Sequence, residues 1–516
     1  MNMRCPPLDF TIQFLPIGAT YAIMYAVMIR SCSTCFFLII ALLWAFDAYA
    51  ETPDSLTLED CIEWAMAESA PVIHARIEQW IARERVHEVD GVFDTMLRAR
   101  GQYEDASLPT GGNPFLDSSR STVIESGISR MLDSGTILEA GADVNRFRFP
   151  PSNGAFPFPA DRHTSVVRVS LTQPLWRNAW GALNRAQRES AAGLLTAAEH
   201  RYDDARQAVA GLVHSLFWDA YVADQSHQAN VRALEWARQL LEVNRARWRD
   251  KLMDETDVLA AEAALATREV DVLAGRVAVT DTREHLFALI GLPREQWDET
   301  PLRFPDPPAD FEPAETDPPE KAFERAVSTR PDLKALNWQI RAADHDETAA
   351  RQAARPSLAV GASYGIGDSG ETFDDAAGIS ESVWSIGLQF EVPLQRRAER
   401  SRLQQVRWRQ EQLERDRAEH MRVVAREIRE AARAVDTAAE EVSATRRALD
   451  LHKRKRYLEQ EKLEQGRSAT ETVIRYQEDV ELAEHASIAA WARYEKARAA
   501  LLLAQGLLVS PIGEQP

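Results

Sequence analysis

Landmarks in the first half of this sequence return in the second. Pro71 and Gly101 recur 260 residues later as Pro331 and Gly361, while Pro174, Val258 and Gly291 recur at offsets of 219, 215 and 215 as Pro393, Val473 and Gly506. Each copy reads short helix, strand, strand ending in Pro-Leu, very long helix, short helix. A duplicated plan of this kind restricts the fold to two similar halves, mixed α and β but mainly α. The fall in offset from 260 to 219 gives copy one 41 more residues between its strands. They lie at about 119–160, where 122–132 and 136–146 alternate loosely in polarity around Asp133-Ser134-Gly135, a turn signal that predicts an additional hairpin.

The helical segments are too long for a compact domain. No proline interrupts residues 177–249 or 397–464, and at ~1.5 Å per residue each helix would reach about 100 Å. Met421, Val424, Ile428, Ala431, Val435, Ala438, Val442, Thr445, Leu449 and His452 follow an alternation of three and four. In copy one Val209, Val213, Leu216, Ala220, Ala223, His227, Asn230, Leu234, Ala237, Leu241 and Asn244 do the same. This is the seam of a coiled coil. Short helices are expected over 58–89, 255–289, 319–354 and 470–503, each about half a long one, so that two stacked end to end match it. On helices alone a coiled-coil scaffold would be the default.

The strands argue otherwise. Trp384, Ile386, Leu388, Phe390 and Val392 alternate with polar or small residues, as do Leu358, Val360, Ala362, Tyr364 and Ile366; in copy one Val167, Val169 and Leu171, and Leu97, Ala99, Gly101 and Tyr103, do likewise. A period of two over about ten residues fits a tilted barrel strand, apolar to lipid and polar to water. A soluble sheet with one face on a core predicts the same pattern strand by strand, but not four strands at matched positions in an exported chain. Four strands, or six with the hairpin, are too few to close a barrel, which takes about eight, so several chains must contribute. Pro174-Leu175 and Pro393-Leu394 mark where strand turns into helix, and Pro174 and Pro393 are the expected swivels.

The N-terminus reads as a targeting signal over 1–50. Arg30 precedes the apolar run 36–46, and Ala48-Tyr49-Ala50 is a small-x-small cleavage pattern. A start at Met28 would give such a signal ordinary length, and the run falls short of the ~20 residues a spanning helix needs. Of four cysteines only Cys61 lies beyond the signal, which excludes an intrachain disulfide framework. The remaining organisation is a first repeat over 56–292, an extended, polar linker over 293–319 with eight prolines that is expected to leave the rods and wrap them from outside, a second repeat over 320–508 and a short tail over 509–516. A net charge of −19 argues against nucleic-acid binding. No phosphate-binding loop or paired-His zinc motif occurs, Gly365 to Gly370 lies at a strand end where a turn explains it better than nucleotide binding, and the eleven histidines are scattered; neither enzyme activity nor a cofactor is expected.

With Leu171-Thr172-Gln173-Pro174-Leu175, Val392-Pro393-Leu394, Arg247-Trp248 followed by Thr256-Asp257-Val258-Leu259, and Gly291-Leu292-Pro293, the chain resembles the TolC family of outer-membrane efflux channels over 56–508. The resemblance implies a homotrimer whose twelve strands form a barrel in outer-membrane lipid and whose twelve helices form a tunnel in the periplasm of a Gram-negative-type cell. It also implies a passive exit that docks with a periplasmic adaptor (membrane fusion) protein and an inner-membrane transporter of RND, ABC or similar type. In such channels polar links near the helix turns shut the tunnel tip. The matching turns here are 251–257 and 466–472; Asp257 falls on a linking position and Arg467 beside its partner, with Asp254, Glu471, Thr472 and Arg475 near the aperture. Lys251 stands where the family has glycine, and Thr472 and Arg475 stand where an acidic ring is common. The alternatives are a periplasmic adaptor or a coiled-coil scaffold without a pore.

Overall fold

The computed structural model of the protein describes residues 55–106, 119–148 and 161–510. The expected signal at 1–50, part of the expected hairpin segment (149–160) and most of the expected tail lie outside the described residues. A small unit joins Leu56 to Leu302 by a parallel bridge, with Leu56 N–H donating to Pro301 O at 2.9 Å and Arg303 N–H to Leu56 O at 2.8 Å. The rest of the described chain forms the second unit.

In that unit α1 (Leu58–Glu68) and α2 (Ala70–Asp90) lead into β1 (Met96–Ala106), then β2 (Ser119–Met131), β3 (Ile137–Arg148) and β4 (Asp161–Pro174). The helices α3 (Ala182–Arg249) and α4 (Glu255–Ile290) complete copy one. Copy two runs α5 (Pro319–Thr329), α6 (Pro331–Ala353), β5 (Ser357–Gly370), a single turn α7 (Phe373–Ala376), β6 (Glu381–Glu391), α8 (Arg397–Glu464) and α9 (Thr470–Ala504). Both long helices, α3 and α8, have 68 residues. Along α3 pack α2 and α6 and then α4, while α8 pairs with α6 and α9, so short helices do stack end to end beside long ones. The seam is buried at Val209, Val213, Ala220 and Leu241 and at Val424, Ile428, Val435 and Val442. Leu216 is only half-buried, and Phe217, Trp218 and Tyr221 take over there.

Two corrections follow. The helices expected as continuous over 58–89 and 319–354 are each broken, at Ser69 and at Arg330, because the proline occupies the first turn of a new helix, where its missing N–H costs nothing. Across the two breaks the hydrogen bonds match one for one. Ser69 N–H donates to Ala65 O and Ile73 N–H to Ser69 O; Arg330 N–H donates to Ala326 O and Lys334 N–H to Arg330 O. That match sets the repeat offset one residue longer than the proline spacing implies. The strands agree: Leu97, Ala99, Gly101 and Tyr103 share a sheet face with Leu358, Val360, Ala362 and Tyr364, whereas Gly361 lies on the other face. A slip of one would have reversed every side chain. The run Gly365 to Gly370 lies at a strand end, as expected, and stays paired to the last residue of β5.

The six strands form one antiparallel sheet in the order β1-β2-β3-β4-β5-β6, so β1 and β6 are its edges. The linker expected to wrap the rods is pinned to them by aromatics. Phe304 packs on Phe217 and Tyr221, and Phe311 on Trp491 and Tyr494, ring centroids 5.0–6.0 Å apart. The Tyr494 hydroxyl accepts from Ala314 N–H at 2.9 Å, and Arg446 donates to Pro308 O at 2.8 Å.

Candidate membrane face, junction and gate

Register fixes which side chains share a face. On one side lie Leu97 and Tyr103 of β1, Ile124 and Ile128 of β2, Leu138 and Val144 of β3, Val167, Val169 and Leu171 of β4, Tyr364 and Ile366 of β5, and Trp384, Ile386, Leu388 and Phe390 of β6. Leu97, Trp384, Ile386 and Leu388 are each about 70–80% exposed (78%, 71%, 71% and 69%). The opposite face carries Arg98, Arg100, Glu125, Glu139, Asp143, Arg168 and Gln389, interleaved with Gly127, Gly141, Gly361, Gly365, Gly367 and Gly387. Among the described residues most of the apolar face is left exposed, and hydrocarbon is the solvent in which such a face is stable. Among the described residues no helix is long and apolar enough to cross a membrane.

At the junction of strand and helix the copies differ. Pro174 ends β4 still in register with Ala359, and the chain then turns through left-handed Asn178 (φ 57), Trp180 (φ 53) and Gly181 (φ 75) before α3 begins. The β2–β3 turn is tied into this bend. Thr136 Oγ donates to Gln173 Oε1, Gln173 Nε2 lies 3.4 Å from Ser134 O, and Asp133 faces Arg188 at 3.5 Å. A Cβ at Gly181 would collide with the Asp133 carbonyl. In copy two Pro393 is exposed, and a single left-handed residue, Arg396 (φ 49), carries the chain into α8, its guanidinium donating to Ala354 O. Indole and ring of Trp176 and Phe390, 6.4 Å apart, join the two bends.

At the far end the turns between long and short helices match bond for bond. Asp250, Lys251 and Leu252 N–H donate to Ala246, Trp248 and Arg247 O; Gln465, Gly466 and Arg467 N–H donate to Glu461, Leu463 and Lys462 O. Such crossed bonds close a helix through a left-handed residue, here Lys251 (φ 59) and Gly466 (φ 71). Asp254 caps α4 without a side-chain bond, and Glu471 lies exposed in the first turn of α9. Asp257 and Thr472 are half-buried at equivalent positions. Arg475 is exposed with its guanidinium 5.5 Å from the Tyr476 ring. Arg467 donates to Gln465 at 3.0 Å, and among the described residues no ion pair within the chain joins it to Asp257.

The bonds that do join the tips come from residues the sequence had only as seam and motif. Arg247 donates to Leu463 O at 2.7 Å and to Glu464 O at 2.8 Å, placing a cation on the negative C-terminus of α8. Asn244, fully buried, donates to Thr470 Oγ at 3.2 Å and to Asp257 O at 3.3 Å. Leu240, Leu463 and Val473 form a small core behind them. Asn244 at the end of the seam, a polar residue where the last turns are otherwise Leu234, Ala237 and Leu241, was the available signal. Higher up, buried Glu481 on α9 meets Arg268 on α4 at 2.5 Å; burial raises the carboxyl's pKa in spite of that partner, with Asp271, Glu478 and Glu484 adding to the rise.

A family model described as outer membrane efflux protein matches residues 138–292 and 322–507, most of both copies, and the chain belongs to that family of transport channels, which are not enzymes. No curated protein sequence matches it. Its fold is similar to that of the Campylobacter jejuni CmeC outer membrane channel, with a TM-score of 0.68 and 14% identity over 89% of this chain and 87% of that one. The outer membrane protein VceC from Vibrio cholerae matches at 0.64 and 15%, over 87% and 96%. The open state of the Neisseria gonorrhoeae MtrE channel matches at 0.63 and 16%, over 87% and 89%. At such identities the likeness is one of fold, and it agrees with a barrel continued by a helical tunnel.

Proposed function

We propose that the protein is the passive outer-membrane exit duct of a tripartite export assembly. Three copies close the pore, the helices hang in the periplasm, and docking of an adaptor and an inner-membrane transporter, of RND or ABC type, opens the tip. The observation that carries this reading is the single sheet with one largely exposed apolar face, continued by helices of ~100 Å. Energy comes from the transporter, in keeping with a family of transport channels that are not enzymes.

The closed tip is assigned to the turns 251–257 and 466–472. Within one chain Arg247 and Asn244 hold the two turns together; between neighbouring chains Asp257 and Arg467 form the latch, with Asp254, Glu471, Thr472 and Arg475 at the aperture. An exposed ion pair is worth only ~0–1 kcal/mol, but threefold repetition makes a cooperative gate. Single-channel current in planar bilayers tests both levels. Low, stepwise conductance from a detergent-stable trimer is expected, rising several-fold in Asp257→Ala and Arg467→Ala. Wild-type conductance in both variants removes the latch, while a protein that never inserts removes the duct and leaves an adaptor or scaffold.

A further inference from the structure

The twelve-strand barrel implied by the resemblance needs four strands from each of three chains, yet the described residues of this chain offer six. We propose that three copies close a barrel of eighteen strands, β6 of each chain pairing with β1 of the next, so that the membrane pore is wider than a barrel of twelve strands would make it. The inference rests on the trimeric duct reading and adds to it the width of the wall.

The additional hairpin is part of the wall, not a flap upon it. β2 pairs with β1 from Met96↔Ser129 to Ala106↔Ser119, and β3 with β4 from Ile137↔Thr172 to Arg148↔Asp161, without a bulge. Both faces continue through it: Ile124, Ile128, Leu138 and Val144 extend the apolar side, and Glu125, Glu139 and Asp143 extend the polar one. The matched family segment begins at residue 138, inside β3, which leaves β1 and β2 outside the family pattern.

The junctions below accommodate the added width. In copy one two strands separate β1 from β4, about 14 Å at a strand spacing of ~4.8 Å, yet the helices attached to them touch. Arg188 of α3 meets Asp90 of α2 at 2.6 Å and lies 4.6 Å from the Phe93 ring. Longer links bridge the difference: residues 91–95 and 175–181 in copy one against 354–356 and 392–396 in copy two. The left-handed bend at Asn178, Trp180 and Gly181 occurs only where this inward step is needed.

The edges are fit to meet. An even number of strands makes β6 and the next chain's β1 antiparallel. Neither edge carries lysine or proline, the usual defences of a strand that must stay unpaired. On the lipid side β1 presents Leu97, Ala99, Gly101 and Tyr103 and β6 presents Trp384, Ile386 and Leu388, so the apolar band continues across the seam. At a tilt of ~40° and a spacing of ~4.8 Å, eighteen strands give a backbone radius of ~18 Å where twelve give ~12 Å. Barrels of that size hold water, so the constriction that selects cargo lies in the helices.

Electron cryo-microscopy of the wild-type protein in lipid nanodiscs tests this directly. Eighteen strands around a backbone circle of ~36 Å diameter are expected. An inserted trimer with twelve strands and β2–β3 outside the wall overturns the inference and leaves the duct intact. A protein that is not an inserted trimer overturns the duct and the inference together.

Discussion

Between α1 and α2 the helix breaks around Ser69, whose hydroxyl is fully buried and has no hydrogen-bond partner among the described residues. At the equivalent break between α5 and α6 stands Arg330, bonded to Asp332, to Glu427 at 2.8 Å and to Ala504 O at 3.1 Å, with His420 on Asp332 at 2.7 Å. Val72 and Leu333 are buried alike at both. So are the roles of Gly291 and Gly506, left-handed glycines that end the returning helices against the breaks, where a Cβ would come within 2.8 Å of Glu68 O and 3.0 Å of Arg330 Cα. Duplication has kept the backbone joint and exchanged its polar filling. Backbone geometry is therefore the conserved quantity between the halves, and side chains at the joints are where the halves can be told apart by experiment.

The largest contrast is expected at the strand-to-helix bends. Gly181→Ala combines a left-handed backbone with a collision at Asp133 and should cost more than ~3 kcal/mol, read as loss of heat-stable trimer. Arg396→Gly, at the simpler bend, should stay within ~1 kcal/mol. Equal losses would mean the inserted turn is not seated there.

Next come the breaks. Asp332→Asn strips Arg330 of its nearest partner and should cost roughly 3 kcal/mol, whereas Ser69→Ala, which removes an unbonded hydroxyl, should be neutral or stabilising by up to ~1 kcal/mol. Burial pushes the Asp332 carboxyl up, but the Arg330 hydrogen bond and charge, His420 and the Leu333 N–H outweigh it and hold its pKa below the usual 3.8. The stabilisation is thus complete above the unfolded value and disappears as pH falls through the lower folded one. Melting curves below about pH 4 should show an acid-sensitive component absent from Asp332→Asn.

At the tips Arg247→Ala should cost about 2 kcal/mol of local stability and raise conductance. Its counterpart Lys462→Ala, which loses only a bond to Glu459, should leave both within error. The smallest effect is expected at the left-handed pair: Lys251→Gly should gain about 1 kcal/mol and Gly466→Lys lose as much, measured by protease resistance of the turns.

The alternation in β6 and the heptads of α3 and α8 were legible because periodicity is a local property that burial in lipid or in a neighbouring helix preserves. Breaks at Ser69 and Arg330 were not, since a proline one turn into a helix and a proline that interrupts one look alike in a sequence. Equally hidden was the one-residue change in offset, because Gly361 lies beside the true counterpart of Gly101 and glycines mark turns and faces indifferently. Among gate residues the sequence pointed to charges, while Arg247 and Asn244 act on backbone carbonyls and a hydroxyl from another helix, partners that no spacing announces. Phe304 and Phe311 were read as part of a polar connector because their meaning lies in the rings they touch.

The open edges of β1 and β6 carry a consequence for biogenesis. In hydrocarbon each unpaired backbone group costs several kcal/mol, so one chain has no stable membrane-embedded state by itself. On the trimeric duct reading, insertion and the meeting of three chains then become a single event, and the number of finished pores falls more steeply than chain supply when expression is low. Until they meet, solitary chains must be kept from pairing these edges with whatever strand they encounter first.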